Sequence, residues 1–208
     1  MPACAHHACT CSRWPAPEVG HLNLGAGAIV KQDLTRIDEA VEEGTLAQNA
    51  VLRAAFEGAE RVHLIGLVSD GGVHSSDRHL RALIALGAAV GAPDVVVHAF
   101  TDGRDTLPTS GAGHLEQVGA WCAQAGSARV GSVVGRYFAM DRDRRWDRVQ
   151  RAYDLLVHGL AEHHAETGDA ALRAAYERGE TDEFITATTV GDEARIRPQD
   201  SVIAFNFR

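Results

Sequence analysis

The stretch that decides the fold is Arg61-Val62-His63-Leu64-Ile65-Gly66-Leu67-Val68, followed at once by Ser69-Asp70-Gly71-Gly72-Val73-His74-Ser75. A short, almost continuous apolar run that stops at a turn signal reads as a strand buried on both faces. Asp70-Gly71-Gly72 forces the turn, and from Ser76 the apolar residues Leu80, Leu83, Ile84 and Leu86 recur at helical spacing. The same strand-turn-helix order repeats downstream. Val95 to Phe100 and Val130 to Val134 read as strands, and the chain closes on Val202-Ile203-Ala204-Phe205-Asn206-Phe207-Arg208. The pattern predicts strands near 62–68, 95–100, 130–134 and 201–206, with helices near 76–90, 110–124 and 142–158 and a shorter one over 170–178. Upstream, Leu34, Ile37 and Val41, then Leu46, Val51, Leu52 and Phe56, mark two helical segments, with Gly44-Thr45 as a stop and a new N-cap. Alternating strands and helices imply right-handed crossovers, hence an α/β fold with a mostly parallel sheet flanked by helices.

Composition narrows the function. Of 208 residues, 45% are hydrophobic and 23% charged, which is globular. No apolar run approaches the about 20 residues of a membrane span. The opening MPACAHHACTCS lacks the basic start and long apolar stretch of a secretory signal. A net charge of −8 disfavours nucleic acid and membrane surfaces as partners, while leaving room for a local arginine cluster. Lys31 is the only lysine, so every other positive side chain of that pair is arginine. A GC-rich coding bias accounts for that preference overall, and only individual arginine positions carry function. Cys4, Cys9 and Cys11 crowd the first eleven residues beside His6 and His7. Their spacing fits no standard zinc module and Cys122 stands alone, so an unstructured tail without metal is expected there, in a reducing cytoplasm.

In parallel sheets, ligands sit beyond the C-terminal strand ends. Three loops therefore matter. In 69–75, two glycines let backbone approach a ligand and His74 stands at a helix entrance, although a tight turn with a capping serine fits equally. In Asp102-Gly103-Arg104-Asp105, Arg104 can grip an anion while a carboxylate takes a proton from a hydroxyl; a self-paired surface turn is the alternative. In 135–146, Arg136 lies at a strand end and Arg142 at the expected helix N-terminus, where anions are favoured. Asp141 reads as the N-cap, Arg144 and Arg145 as outward-facing, and Trp146 as core or lid. His74, Arg104, Asp105, Arg136 and Arg142 thus meet at one sheet edge, which suits a small hydroxylated polyanion such as a phosphorylated hydroxy acid.

The strings HLIGLVSDGGVHS, HAFTDGRDTLP, VVGRYFAMDRDRRWDRV, YERGETDEFITAT and SVIAFNFR, with EVGHLNLGAGAIVKQDLTRI before them, closely resemble the cofactor-independent phosphoglycerate mutases. The likeness runs from about Glu18 to Arg208. It implies a phosphotransferase domain of the kind inserted into an alkaline-phosphatase-like domain. The family interconverts 3-phosphoglycerate and 2-phosphoglycerate in glycolysis, through a phosphoserine formed on a serine that two manganese ions activate, as cytoplasmic monomers. By the same resemblance, His74, Arg104, Asp105, Arg136, Arg142 and Arg208 match substrate-contacting positions, the arginines holding carboxylate and phosphate. Asp105 matches the base proposed to act on the glycerate hydroxyls.

Three departures shape the expectation for this chain. Pro17 stands where the family has its nucleophilic serine, in Ala16-Pro17-Glu18-Val19-Gly20-His21, so no phosphoserine can form there. The family's first metal aspartate is not matched upstream, and its P-D-R-A string, second paired arginine and later metal ligands are not matched beyond Arg208. Ala28 replaces an arginine usual in the family's G-A-G-R string. The resulting expectation is an unstructured tail at 1–17, a phosphatase-domain remnant and linker at 18–44, and a truncated substrate domain at 45–208. Its sheet would be incomplete at the C-terminal end, no metal would bind, and the chain would bind phosphoglycerate-like anions without turnover.

Overall fold

The computed structural model describes residues 24, 25, 27 and 31–208. The cysteine-rich tail and Pro17 lie outside them. Two helices, α1 (Asp33–Glu42) and α2 (Ala50–Glu57), lead into β1 (Val62–Val68). Then follow α3 (Asp77–Ala89), β2 (Val95–Thr101), α4 (Gly111–Ala125), β3 (Ala128–Gly135) and the short α5 (Arg136–Ala139). The remainder is α6 (Trp146–Tyr153), β4 (His163–Ala165), α7 (Gly168–Glu177), β5 (Thr188–Val190) and β6 (Ser201–Ala204).

These strands form one six-stranded sheet in the order β4-β5-β3-β2-β1-β6. All pairings are parallel except β3 with β5. The central strand β2 is buried at every position, which is why it reads as an uninterrupted apolar run. Apolar side chains from α2, α3, α4 and α7, among them Phe56, Leu80, Leu115 and Leu172, fill one face. Leu67, Phe100 and Val134 meet Phe138 and Leu155 on the other.

The expected 142–158 helix is corrected. Helix α6 begins only at Trp146, because Arg144 adopts a positive φ of 60° that breaks the helical path before it. Asp141 is not the N-cap; its Oδ2 accepts from Arg145 N at 2.8 Å, pinning the loop before the helix. Arg142 consequently sits in a loop, and Trp146 is 70% exposed, so it is not core. Thr45 gives no side-chain cap, and Asn49 Oδ1 instead accepts from Val51 N and Leu52 N at the start of α2. Strands β4 and β5 were not expected.

A polar line crosses the sheet on the α5–α6 face. Ser132 Oγ lies 2.7 Å from His98 Nδ1, His98 Nε2 lies 2.8 Å from His63 Nδ1, and His63 Nε2 lies 3.0 Å from Asp200 Oδ2. One proton arrangement satisfies the whole line: Ser132 donates to His98, His98 to His63, and His63 to the carboxylate. Both imidazoles are neutral in it, stacked 5.0 Å apart and buried. The line ties β3, β2 and β1 to the residue just before β6.

Candidate anion site

The site grows from Asp102, at the end of β2. Its Oδ1 accepts from Arg104 N (3.2 Å) and Asp105 N (3.0 Å), folding the loop back on itself. Its Oδ2 accepts from Ser69 Oγ at 2.6 Å, which joins this loop to the one after β1. Burial alone would raise the Asp102 carboxyl pKa. The hydrogen bonds from Asp105 N–H, Ser69, Arg136 and Arg104 N–H outweigh it, and the pKa lies below the ordinary carboxylate value.

Arg136, at the end of β3, closes the third side. Its Nη1 lies 2.6 Å from both Asp102 Oδ1 and Asp105 Oδ2, with only 6% of the side chain exposed. His74 Nε2 stands 3.8 Å from Asp105 Oδ2. Desolvation lowers the His74 pKa first, and the charges of Arg136, Arg208 and Arg142 push it the same way against Asp105. His74 therefore feels cations from the 135–146 segment and from the chain beyond β6. That segment is held against it, since Phe207 N donates to His74 O at 2.9 Å.

Beside this cluster opens a pocket of about 120 Å³, lined by Arg104, Arg136 and Arg142 together with Tyr137, Asp141, Arg148 and Glu183. Arg136 belongs to both parts. The expected residues thus fall into two adjoining groups, His74–Asp105–Arg136 with Arg208 nearby, and Arg104–Arg136–Arg142 around the pocket. Arg142 and Arg208 have no ion-pair partner among the described residues. Sequence reasoning missed Arg148 and Glu183. Arg148 lies over the Tyr137 ring at 3.9 Å and reaches Asp141 Oδ1 at 3.3 Å, clamping the loop that carries Arg142. Glu183 comes from a separate turn near the β3 end, and only tertiary structure brings it here.

Such a pocket, with four arginines set against three carboxylates, suits a small anion, and an adjacent carboxylate beside an imidazole suits a hydroxyl. The profile of the family described as "BPG-independent PGAM N-terminus" matches residues 37–208. The chain belongs to this family. Its relatives include the 2,3-bisphosphoglycerate-independent phosphoglycerate mutases of Natronomonas pharaonis, 51% identical over 196 residues, and of Chromobacterium violaceum, 51% identical over 193 residues. Each match covers 92% of this chain and 38% of the relative. Among solved structures, a phosphoglycerate mutase from Leishmania mexicana at low cobalt concentration superimposes with a TM-score of 0.82 at 34% identity. It too is covered over 38% of its length and 92% of this chain. The phosphoglycerate mutase likeness thus extends over nearly all of this sequence, while the sequence spans well under half of those enzymes. Among the described residues, no group of three or more His, Cys, Asp and Glu side chains is placed to hold a metal, so they do not fit a manganese centre. Among them, too, no helix is long and apolar enough to cross a membrane.

Proposed function

We propose that this chain carries the substrate-gripping site of a phosphoglycerate mutase, a cytoplasmic enzyme of glycolysis in its complete form. The arginines around the pocket, Arg104, Arg136 and Arg142, take the phosphate and carboxylate of phosphoglycerate, and Arg208 adds a further cation from beyond β6. Asp105 engages Arg136 through Oδ2. Its Oδ1 is the atom assigned to accept a proton from a glycerate hydroxyl, with His74 beside it. The single observation that carries this reading is the convergence of three loop arginines on one polar pocket next to the Asp105–His74 pair.

By itself, the 208-residue polypeptide is proposed to bind without turnover. Phosphoryl transfer of this kind needs an activated nucleophile, and Pro17 offers no hydroxyl. The manganese of the family's complete enzymes is assigned no ligand among the described residues, and no step is routed through it. The test is a coupled mutase assay on the purified polypeptide with manganese, beside calorimetry with 3-phosphoglycerate. The expected result is no interconversion and weak binding that disappears in Arg104→Ala. Metal-dependent turnover abolished by Arg104→Ala would refute the inactive reading; binding that survives Arg104→Ala would refute the site.

A further inference from the structure

The arginines of the pocket are not equivalent. Arg136 is locked to two buried or half-buried carboxylates, and Arg148 to Asp141, whose side chain is only 2% exposed. Arg104 differs. It is 58% exposed, and its charge partner is Glu183, with Nη1 3.7 Å from Oε1. That distance is a loose pair without a hydrogen bond.

The placement of Glu183 is nonetheless rigid. It sits in the turn Asp182–Phe184, pressed between the ends of β2 and β3. A Cβ on Gly103 would lie 2.7 Å from Glu183 N, and one on Gly135 would lie 2.3 Å from Glu183 O. Only glycine at both places lets the turn come so close. Thr101 Oγ1 donates to Asp182 O at 2.6 Å, Gly135 N to Ile185 O at 2.8 Å, and Asp182 N to Pro108 O at 2.8 Å. Asp182 itself caps α4, accepting from Gly111 N at 2.8 Å and from Tyr176 Oη at 2.5 Å. A turn anchored at both strand ends thus projects a carboxylate into a pocket lined by arginines, against Arg104, which has no firmer partner among the described residues.

We propose that Glu183 is the built-in counter-anion of this site: its carboxylate holds Arg104 while the pocket is empty and is displaced from it by the incoming anion. The proposal rests on reading the pocket as an anion site, and it assigns Glu183 a cost to binding. A ligand must take Arg104 from a competitor that cannot diffuse away. The carboxylate left behind accepts a hydrogen bond from a ligand hydroxyl, which favours a hydroxylated phosphate over a bare one.

The experiment is calorimetric titration of the polypeptide with inorganic phosphate, and separately with 3-phosphoglycerate, comparing wild type, Glu183→Gln and Asp143→Asn. Asp143 also lines the pocket, but it is 79% exposed and lies 3.9 Å from Arg148. It therefore controls for simple removal of negative charge. Glu183→Gln is expected to tighten phosphate about fivefold, the upper end for a partly exposed pair, and Asp143→Asn less than about twofold. The difference shrinks at high salt. Unchanged or weaker phosphate binding in Glu183→Gln, with thermal denaturation showing it folded, overturns the proposal. Equal gains in the two variants overturn it as well, since charge alone then explains them. Phosphate binding with the expected gain but no 3-phosphoglycerate binding sinks the functional reading and leaves the counter-anion standing. No binding by any of the three chains overturns both.

Discussion

Replacing His98 with glutamine isolates the energetic cost of the buried imidazole line. Burial is the main force lowering the His98 pKa, followed by the neighbouring His63, Arg129 and Arg61, and together they push it down to about 3. In the unfolded chain a histidine titrates near about 6.5. Between those values the unfolded state binds a proton that the folded state refuses. Stability is therefore complete above about pH 6.5 and falls as pH drops through that window. From about pH 7 to about pH 5 the loss through this one side chain integrates to about 2 kcal/mol. The His63 pKa is also lowered, chiefly by desolvation against Asp200, and adds a loss of the same sign. Glutamine can accept from Ser132 and donate to His63, so the line stays occupied while the titrating group disappears. Urea unfolding of wild type and His98→Gln at both pH values, followed by fluorescence and circular dichroism, measures the difference. The wild type should lose about 2 kcal/mol more than the variant on acidification. Equal losses would mean that His98 takes up its proton in the folded state, and the neutral, one-directional line would be wrong.

Two other substitutions probe the site's frame. Arg136→Ala strands Asp102 and Asp105 without their shared cation and should cost about 3 kcal/mol of stability by urea denaturation; an unchanged midpoint would show that water replaces the guanidinium at no penalty. Gly135→Ala drives a methyl against Glu183 O, a backbone atom that cannot rotate away, and should cost about 2 kcal/mol and speed amide hydrogen exchange across 182–185. Exchange as slow as in wild type would contradict the tight seating of that turn.

The three long strands are legible in the sequence because β1, β2 and β3 are largely buried on both faces, and burial of that kind writes itself as runs rich in Val, Leu, Ile and Ala. Strands β4 and β5 have three residues each, with His and Thr among them, and owe their conformation to their neighbours. The false helix start at 142 had a different origin. Asp141 and the charged residues after it do suit a helix locally, but Arg144 turns the chain aside and the Asp141 carboxylate is spent on the loop and on Arg148. At the site, the loops were readable from topology alone, since strand ends mark the binding edge. Glu183 was not, because the string Thr181-Asp182-Glu183-Phe184 follows no strand and reaches the pocket only through the glycines it packs against.

The sheet order also dictates when the site can be completed. Val62 pairs with Val95, 33 residues on, but with Ser201, 139 residues on. Closing the longer loop costs about 1.3 kcal/mol more in chain entropy than closing the shorter one. During synthesis, β1, β2 and β3 have all left the ribosome long before β6. The loops bearing His74, Arg104, Asp105 and Arg136 thus have their strands to build on first. The edge strand, with Arg208 behind it, docks onto a platform that already exists. The site is assembled in the order of its strands, and Arg208 reaches it after Arg104, Arg136 and Arg142.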